Sequence, residues 1–201
     1  MLIEHRGRSP VVHPSATIAP NATICGDVTI GENTAVLFGA VITAQGGPVV
    51  IGKNCVIMEQ AVVRATPKHP CTIGDNCLVG PHGYVSGATV EDNVFCATGT
   101  AVFNGARLET RSEVRIHGVV HINTVVPAGV TVPISWVAVG DPAEIRPPGE
   151  HDEIWAVQQT LDFPGTVFGM DREKMGETKM PEAMRRYTRA LGWHQDDKII
   201  E

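Results

Sequence analysis

The feature that most restricts how this chain can fold is a six-residue repeat. A mostly aliphatic residue recurs at that spacing from Ile18 to Val132, with a mostly small residue two places before it. Stretches such as "IGENTA", "IGKNCV" and "IGDNCL" place Gly, Asn or Asp between these positions. Such a pattern predicts an all-β solenoid, a parallel β-helix of hexapeptide repeats with three hexads per coil. The repeated positions are Ile18, Ile24, Ile30, Val36, Ile42, Ile51, Ile57, Val63, Ile73, Val79, Val85, Val90, Cys96, Val102, Leu108, Val114, Val120, Val126 and Val132.

Composition and charge exclude several classes of protein. Aromatic residues make up only 5% of the chain, which agrees with a core built from stacked aliphatic side chains. A formal net charge of −6 without a long basic run argues against a nucleic-acid partner. We find no apolar run long enough to cross a membrane, no secretory leader and no CxxC pair, so we expect a cytoplasmic protein with no membrane partner.

The repeat is interrupted by two insertions, at 44–50 and 64–70, and it is one residue short between Val85 and Val90. Loops inserted into a solenoid commonly mark its functional face. After residue 147 the pattern becomes helical. We therefore predict a β-helix domain over 1–147 and C-terminal α-helices over 148–201 that pack on the β-helix or on a neighbouring subunit.

Four of the five cysteines are predicted to be core residues, and one is a candidate for chemistry. Cys55, Cys71 and Cys77 fall at small inward positions and Cys96 at an aliphatic one, so all four are predicted to be core residues. Cys25 follows an aliphatic position, should point outward, and is the candidate for a reactive thiol.

Two histidines occupy the same position within their hexads, at one corner of the predicted coil, but they are not predicted to form a metal site. His82 and His117 lie two coils apart, about 9 to 10 Å, which exceeds what one metal ion can bridge. Within one chain we predict no zinc cage and no cofactor.

The segments "GRSPVVHPSATIAPNATICGDVTIGENTAVLFGAVI", "GPVVIGKNCVIMEQAVV" and "VAVGDPAEI" resemble the γ-class carbonic anhydrases and their relatives, over about residues 5 to 147. The resemblance implies a left-handed β-helix and a homotrimer. It also implies a zinc ion held by three histidines in a cleft between subunits.

The expected zinc ligands are absent. Aligned by their flanking glycines, the three histidine positions hold Arg64, Pro81 and Ser86. Guanidinium has no lone pair to donate and proline has no side-chain donor, so the inherited cage should not bind zinc. We predict a degenerate metal site and no zinc carbonic anhydrase activity.

The replacement of a metal ligand by Arg64 favours an anionic or carbonyl-bearing small molecule, because guanidinium offers paired donors to a carboxylate. The resemblance places other polar residues around it. We predict His82, Glu59, Ser86 and Tyr84 as catalytic residues and Arg64, Gln45 and Asn104 as substrate-binding residues. The alternatives without a role in binding or catalysis are an interface ion pair between Arg64 and Glu59, and positions as structural residues at the corners of the coils for Ser86, Asn104 and His82.

Three functions remain open from the sequence. The first is a metal-independent lyase or hydratase, isomerase or hydrolase that uses acid–base chemistry on a small carboxylate or carbonyl compound in the cleft between subunits. The second is a coenzyme A-dependent acyltransferase, which many hexapeptide proteins are, although the long loop those enzymes use is missing. The third is a non-catalytic binding or scaffold protein.

Overall fold

The protein, described by a computed structural model over residues 1–171 and 179–200, is a stack of short strands followed by helices. The strands are β1 Leu2–Glu4, β2 Val11–Val12, β3 Thr17–Ile18, β4 Thr23–Cys25, β5 Val28–Ile30, β6 Ala35–Val36, β7 Val41–Ala44, β8 Val49–Ile51, β9 Val56–Ile57, β10 Val62–Ala65, β11 Cys71–Ile73, β12 Leu78–Val79, β13 Tyr84–Ser86, β14 Thr89–Val90, β15 Phe95–Cys96, β16 Ala101–Val102, β17 Arg107–Leu108, β18 Glu113–Val114, β19 Val119–Val120, β20 Val125–Val126, β21 Thr131–Val132, β22 Val137–Val139, β23 Glu144–Arg146 and β24 Lys198–Ile199. The helices are α1 His151–Gln158, α2 Phe163–Phe168, α3 Lys179–Leu191 and a 3₁₀ helix, Gly192–Asp196.

Every third strand belongs to the same sheet, as expected for a three-sided coil. Two sheets have seven strands each and the remaining one has ten. Pairing between successive coils is parallel. Among the strands of the described residues, antiparallel pairs occur only at the two ends of the ten-stranded sheet, β1 with β24 and β22 with β23. This confirms the hexapeptide β-helix, and the arrangement is consistent with the left-handed form.

The core is a set of ladders of repeated aliphatic side chains. Ile57, for example, is fully buried and lies in register between Val36 and Val79 of the adjacent coils. Cys55, Cys71, Cys77 and Cys96 are buried free thiols within this core, as predicted. The small inward residues leave room for the neighbouring walls to approach one another, which is why large aromatic side chains are not needed.

The coils turn at residues with left-handed backbone conformation. Asn33, Asn54, Asn76 and Asn93 have φ between 54° and 60° and recur at equivalent places in successive coils. Asparagine tolerates this conformation better than most non-glycine residues. Asn33, Asn54 and Asn76 are the asparagines of the quoted repeat motifs, so their recurrence is explained by the corner geometry.

The C-terminal segment is partly helical and packs on the β-helix of the same chain. Helix α1 lies beside β22 and buries Ile154. It ends at Gln158, and Leu161 lies in the turn before α2. The segment ends in a strand, β24, which adds to the sheet beside β1. Among the described residues, none of the helices combines the length and apolar character needed to cross a membrane.

Truncating one rung of the ladder tests the packing. We expect Ile57→Ala to lower the free energy of unfolding by about 2 to 5 kcal/mol, because it opens a cavity between two coils that cannot collapse freely. Urea denaturation followed by circular dichroism measures this. Val50→Ala, at a site that is 41% exposed, is the control and should cost well under half as much; equal losses would contradict the packing described here.

Candidate functional site

A cavity of about 300 Å³ lies between the ten-stranded sheet and the C-terminal segment. Its sheet wall carries Gln45, Arg64, Tyr84, Ser86 and Asn104. Its other wall is formed by the C-terminal segment that follows residue 147, called the tail below. The complete lining is His5, Gln45, Arg64, Thr66, Pro67, Lys68, Tyr84, Ser86, Phe103, Asn104, Phe163, Thr166, Val167, Phe168, Gly169, Tyr187, Ala190, Leu191, Trp193 and His194.

Strand alternation brings Arg64 and Ser86 together. In β10 the side chain of Val63 points into the core, so Arg64 points outward. Arg64 is in register with Ser86 of β13, one coil further on. Ser86 and Asn104 are both buried, and the Ser86 hydroxyl donates a hydrogen bond of 2.7 Å to the Asn104 side-chain oxygen. The Ser86 hydroxyl and the Asn104 side-chain oxygen are therefore hydrogen-bonded to each other on the sheet side of the cavity.

Arg64 is held by neutral groups. Its Nη2 donates to the Gln45 side-chain oxygen and, at 3.2 Å, to the hydroxyl of Tyr187. Its Nε is buried and has no hydrogen-bond partner in the part of the chain that the structure describes. Among the described residues no carboxylate pairs with this guanidinium, and the predicted alternative of an ion pair with Glu59 is not formed within the chain.

The cavity is positively charged and aromatic. Its lining includes Arg64 and the exposed Lys68, and none of the described lining residues is an Asp or Glu. The rings of Tyr84 and Phe103 lie 5.8 Å apart at their centroids, and those of Phe168 and Tyr187 6.4 Å. Cationic groups among aromatic walls are suited to an anion with an apolar body.

Two residues predicted as catalytic do not line the cavity. His82 is an exposed corner residue with φ 57°, and its backbone N–H donates to the Glu59 carbonyl at 3.0 Å. Glu59 lies at the same corner one coil earlier. A corner directs its side chains away from the flat sheet face that carries Arg64. Any catalytic role for these two residues stays a prediction.

The tail supplies groups that the sequence reasoning missed. Tyr187 lies on α3, which ends at Leu191. His194 lies in the following 3₁₀ helix with its Nε2 atom 3.3 Å from the Gln45 side-chain nitrogen. No local pattern in the sequence specifies which face of the β-helix Tyr187 and Leu191 cover.

Beside the cavity lies a half-buried polar cluster formed by His5, Cys25, His194 and Asp197. Although burial acts to raise the pKa of the Asp197 carboxyl, hydrogen bonds from His194 and His5 hold that pKa below its usual value. Burial and the neighbouring Asp197 raise the pKa of the Cys25 thiol to about 12. Cys25 points out of the solenoid core, as predicted, but the tail covers it and leaves it only 4% exposed. The prediction that Cys25 is an accessible, reactive thiol is therefore wrong.

Comparisons with known proteins agree with this architecture. A family model described as "Bacterial transferase hexapeptide (six repeats)" matches residues 9–44. "Gamma carbonic anhydrase 1, mitochondrial" of Arabidopsis thaliana is 30% identical over 128 residues, covering 61% of this chain and 46% of the relative. "Carbonic anhydrase" of Geobacillus kaustophilus is 32% identical over 108 residues, covering 54% and 59%.

This is a hexapeptide-repeat protein of γ-carbonic anhydrase-like sequence. The chain spans about half the length of the curated relatives it matches. Among solved structures, PerB from Caulobacter crescentus, in complex with CoA and GDP-perosamine, is 28% identical, with a TM-score of 0.38, over 68% of this chain and 56% of PerB. A TM-score this low says nothing about the chemistry of the present chain.

The zinc site that the resemblance implies does not fit the residues present. The aligned positions hold Arg64, Pro81 and Ser86, and the Ser86 hydroxyl is already bonded to Asn104. A second copy of the chain would bring the same three residues to a shared cleft. Neither a guanidinium nor a proline ring supplies a metal ligand.

Proposed function

We propose that this γ-carbonic anhydrase-like protein binds a small carboxylate with an apolar body in the cavity and acts on it by acid–base chemistry. The observation that carries the proposal is the half-buried Arg64, which within the described residues has only neutral acceptors and a buried Nε without a hydrogen-bond partner. A charge withdrawn from water is normally compensated by an opposite charge. A carboxylate on Arg64 would provide that charge.

The shape and lining of the cavity define the ligand class further. A volume of about 300 Å³ is at the small end of ligand sites. Phe103, Phe163 and Phe168 would pack against the apolar part, and the exposed Lys68 adds a second positive charge. The Ser86 and Asn104 pair would orient a further oxygen of the ligand.

The proposed reaction is an addition or removal of water or a proton next to the carboxylate, of lyase or isomerase type. Such a step needs only groups that donate or accept protons. His194 and Tyr187, which reach the Gln45 and Arg64 side chains, take the place we predicted for His82 and Glu59. The proposal keeps the predicted homotrimer, with a cavity in each chain.

A matched ligand screen tests the proposal. Thermal unfolding would be followed with benzoate and hexanoate, with their primary amides, and with acetyl-coenzyme A. We expect the carboxylates to raise the melting temperature and the uncharged amides to leave it unchanged. His82→Ala and Glu59→Gln are control variants that should respond like the natural chain. Stabilisation by the amides, or by acetyl-coenzyme A alone, would contradict the proposal.

A further inference from the structure

The two ends of the described chain meet on its first coil. Strand β24 runs antiparallel to β1, with Ile3 opposite Ile199 and Glu4 opposite Lys198. His5 follows β1 directly, and Asp197 directly precedes β24. Cys25 ends β4, which pairs with β1 on its other side. The sheet therefore places side chains distant in sequence around one point.

The polar atoms at this point converge on the Asp197 carboxylate. Its Oδ1 lies 2.6 Å from His5 Nδ1, and its Oδ2 lies 2.7 Å from His194 Nδ1. Cys25 Sγ lies 3.7 Å from Oδ2. The two imidazole rings are stacked with centroids 4.3 Å apart. One ligand atom from each of the four residues can be chosen so that all lie within 4.8 Å of one another.

We propose that His5, Cys25, His194 and Asp197 form a transition-metal site with Zn²⁺ as the preferred ion. A thiolate, two imidazoles and a carboxylate are ligands that zinc accepts together. Four protein ligands fill a tetrahedral site and leave no open position, so the metal would be structural rather than catalytic. The site lies apart from the Arg64 and Ser86 positions to which the resemblance assigns zinc.

The geometry requires only small movements. Tetrahedral zinc bonds of the usual lengths place neighbouring ligand atoms about 3.3 to 3.8 Å apart. A contact of 2.6 or 2.7 Å to the coordinating Asp197 oxygen would open by about an ångström. The chosen ligand atoms lie within 4.8 Å of one another, so no pair would need to close by more than about 1.5 Å. Binding would release the Cys25 thiol proton to solvent. Each imidazole would lose its Nδ1 proton to solvent and carry its proton on Nε2, so that the Nδ1 lone pair is presented to the ion.

The burial of two of the four ligands also favours a metal. His5 is 5% exposed and Cys25 is 4% exposed, whereas the side chains of Asp197 and His194 are 17% and 31% exposed. A thiol is a weak hydrogen-bond donor, so its approach to a carboxylate adds little by itself. The same thiol as thiolate is a strong zinc ligand. The metal would fasten β24 and the 3₁₀ helix to β1 and β4.

The site is coupled to the cavity through His194, and this part of the inference rests on the proposed function. A metal on Nδ1 leaves the imidazole proton on Nε2. That atom faces Gln45, which accepts a hydrogen bond from Arg64. In the metal-loaded protein Nε2 would become an N–H donor that faces the Gln45 amide nitrogen, also a donor, so one of these two side chains would turn and present its N–H to the cavity.

Metal titration of the purified full chain tests the site. After dialysis against EDTA, CoCl₂ would be added while absorbance is recorded, followed by competition with ZnCl₂. We expect saturation at one metal per chain, with a thiolate-to-cobalt charge-transfer band that zinc abolishes. Zinc should also raise the melting temperature.

Variants separate this site from accidental binding. Cys25→Ser should remove the charge-transfer band, and His194→Gln should weaken metal binding at least about tenfold. His13→Gln, a change at an exposed histidine, is the control and should bind metal like the natural chain. Absence of stoichiometric binding, or binding and a band unchanged in both ligand variants, would overturn the inference. The carboxylate screen on EDTA-treated protein reports on the proposed function independently.

Discussion

Arg64→Met should weaken binding of a carboxylate ligand about 100-fold, equivalent to about 2.7 kcal/mol. Methionine keeps much of the apolar volume but removes every donor that the carboxylate would engage. Gln45 and Tyr187, which now accept from Arg64, would be left with each other and with water. Isothermal titration calorimetry with the best carboxylate from the screen gives the dissociation constants.

Two controls make the Arg64 result specific. Arg189→Met removes an exposed arginine near the end of α3 and should change the affinity by less than about twofold. The amide analogue of the ligand should lose little affinity on Arg64→Met, since it carries no charge for Arg64 to recognise. Equal losses for acid and amide would mean that the substitution distorts the cavity, and would contradict the assigned role of Arg64.

Asp197→Ala should lower the free energy of unfolding by about 2 to 4 kcal/mol in metal-free protein. The carboxylate accepts hydrogen bonds from both imidazoles and lies beside the Cys25 thiol. Its removal leaves the Nδ1 atom of His5 buried without a partner. Urea denaturation in EDTA measures the loss, and Asp196→Ala, the exposed neighbouring residue, is the matched control with a cost below about 0.5 kcal/mol. Equal costs would contradict the structural role of Asp197.

The stabilisation by Asp197 should depend on pH in a defined direction. Hydrogen bonds from His194 and His5 outweigh burial and hold the pKa of this carboxyl below its ordinary value. A depressed acid stabilises the fold above its ordinary pKa, about 3.9 for aspartate, and the contribution is lost as the pH falls through the folded value. The stability difference between the natural chain and Asp197→Asn should therefore shrink as the pH falls below about 4. A difference that grew in acid would contradict this sign.

The repeat was predictable from sequence because it is encoded locally. Each coil uses the same short cycle of small, aliphatic and corner residues, so positions such as Ile57 and Cys96 could be assigned to the core one at a time. The corner asparagines were visible for the same reason. Gln45, Arg64, Tyr84, Ser86 and Asn104 were assigned to one site through the family resemblance, and the structure brings all five to one cavity.

The rest of the site was not predictable because it depends on where the tail docks. Tyr187 and His194 reach the cavity only because α3 and the 3₁₀ helix cover this face of the ten-stranded sheet. The cluster of His5, Cys25 and Asp197 likewise requires β24 to pair with β1. The six-residue period of the solenoid does not specify which of its faces a following helix will cover. His82 lies outside the lining of this cavity, since adjacency in an aligned motif does not reveal that a corner turns its side chain away.

A crystal structure of the full chain with the best carboxylate from the screen tests the central claim most directly. The account predicts the carboxylate on the Arg64 guanidinium, with its apolar body between the sheet and the C-terminal segment and with no metal at the level of Arg64 and Ser86. A zinc ion coordinated at that level, or a carboxylate bound away from Arg64, would contradict it.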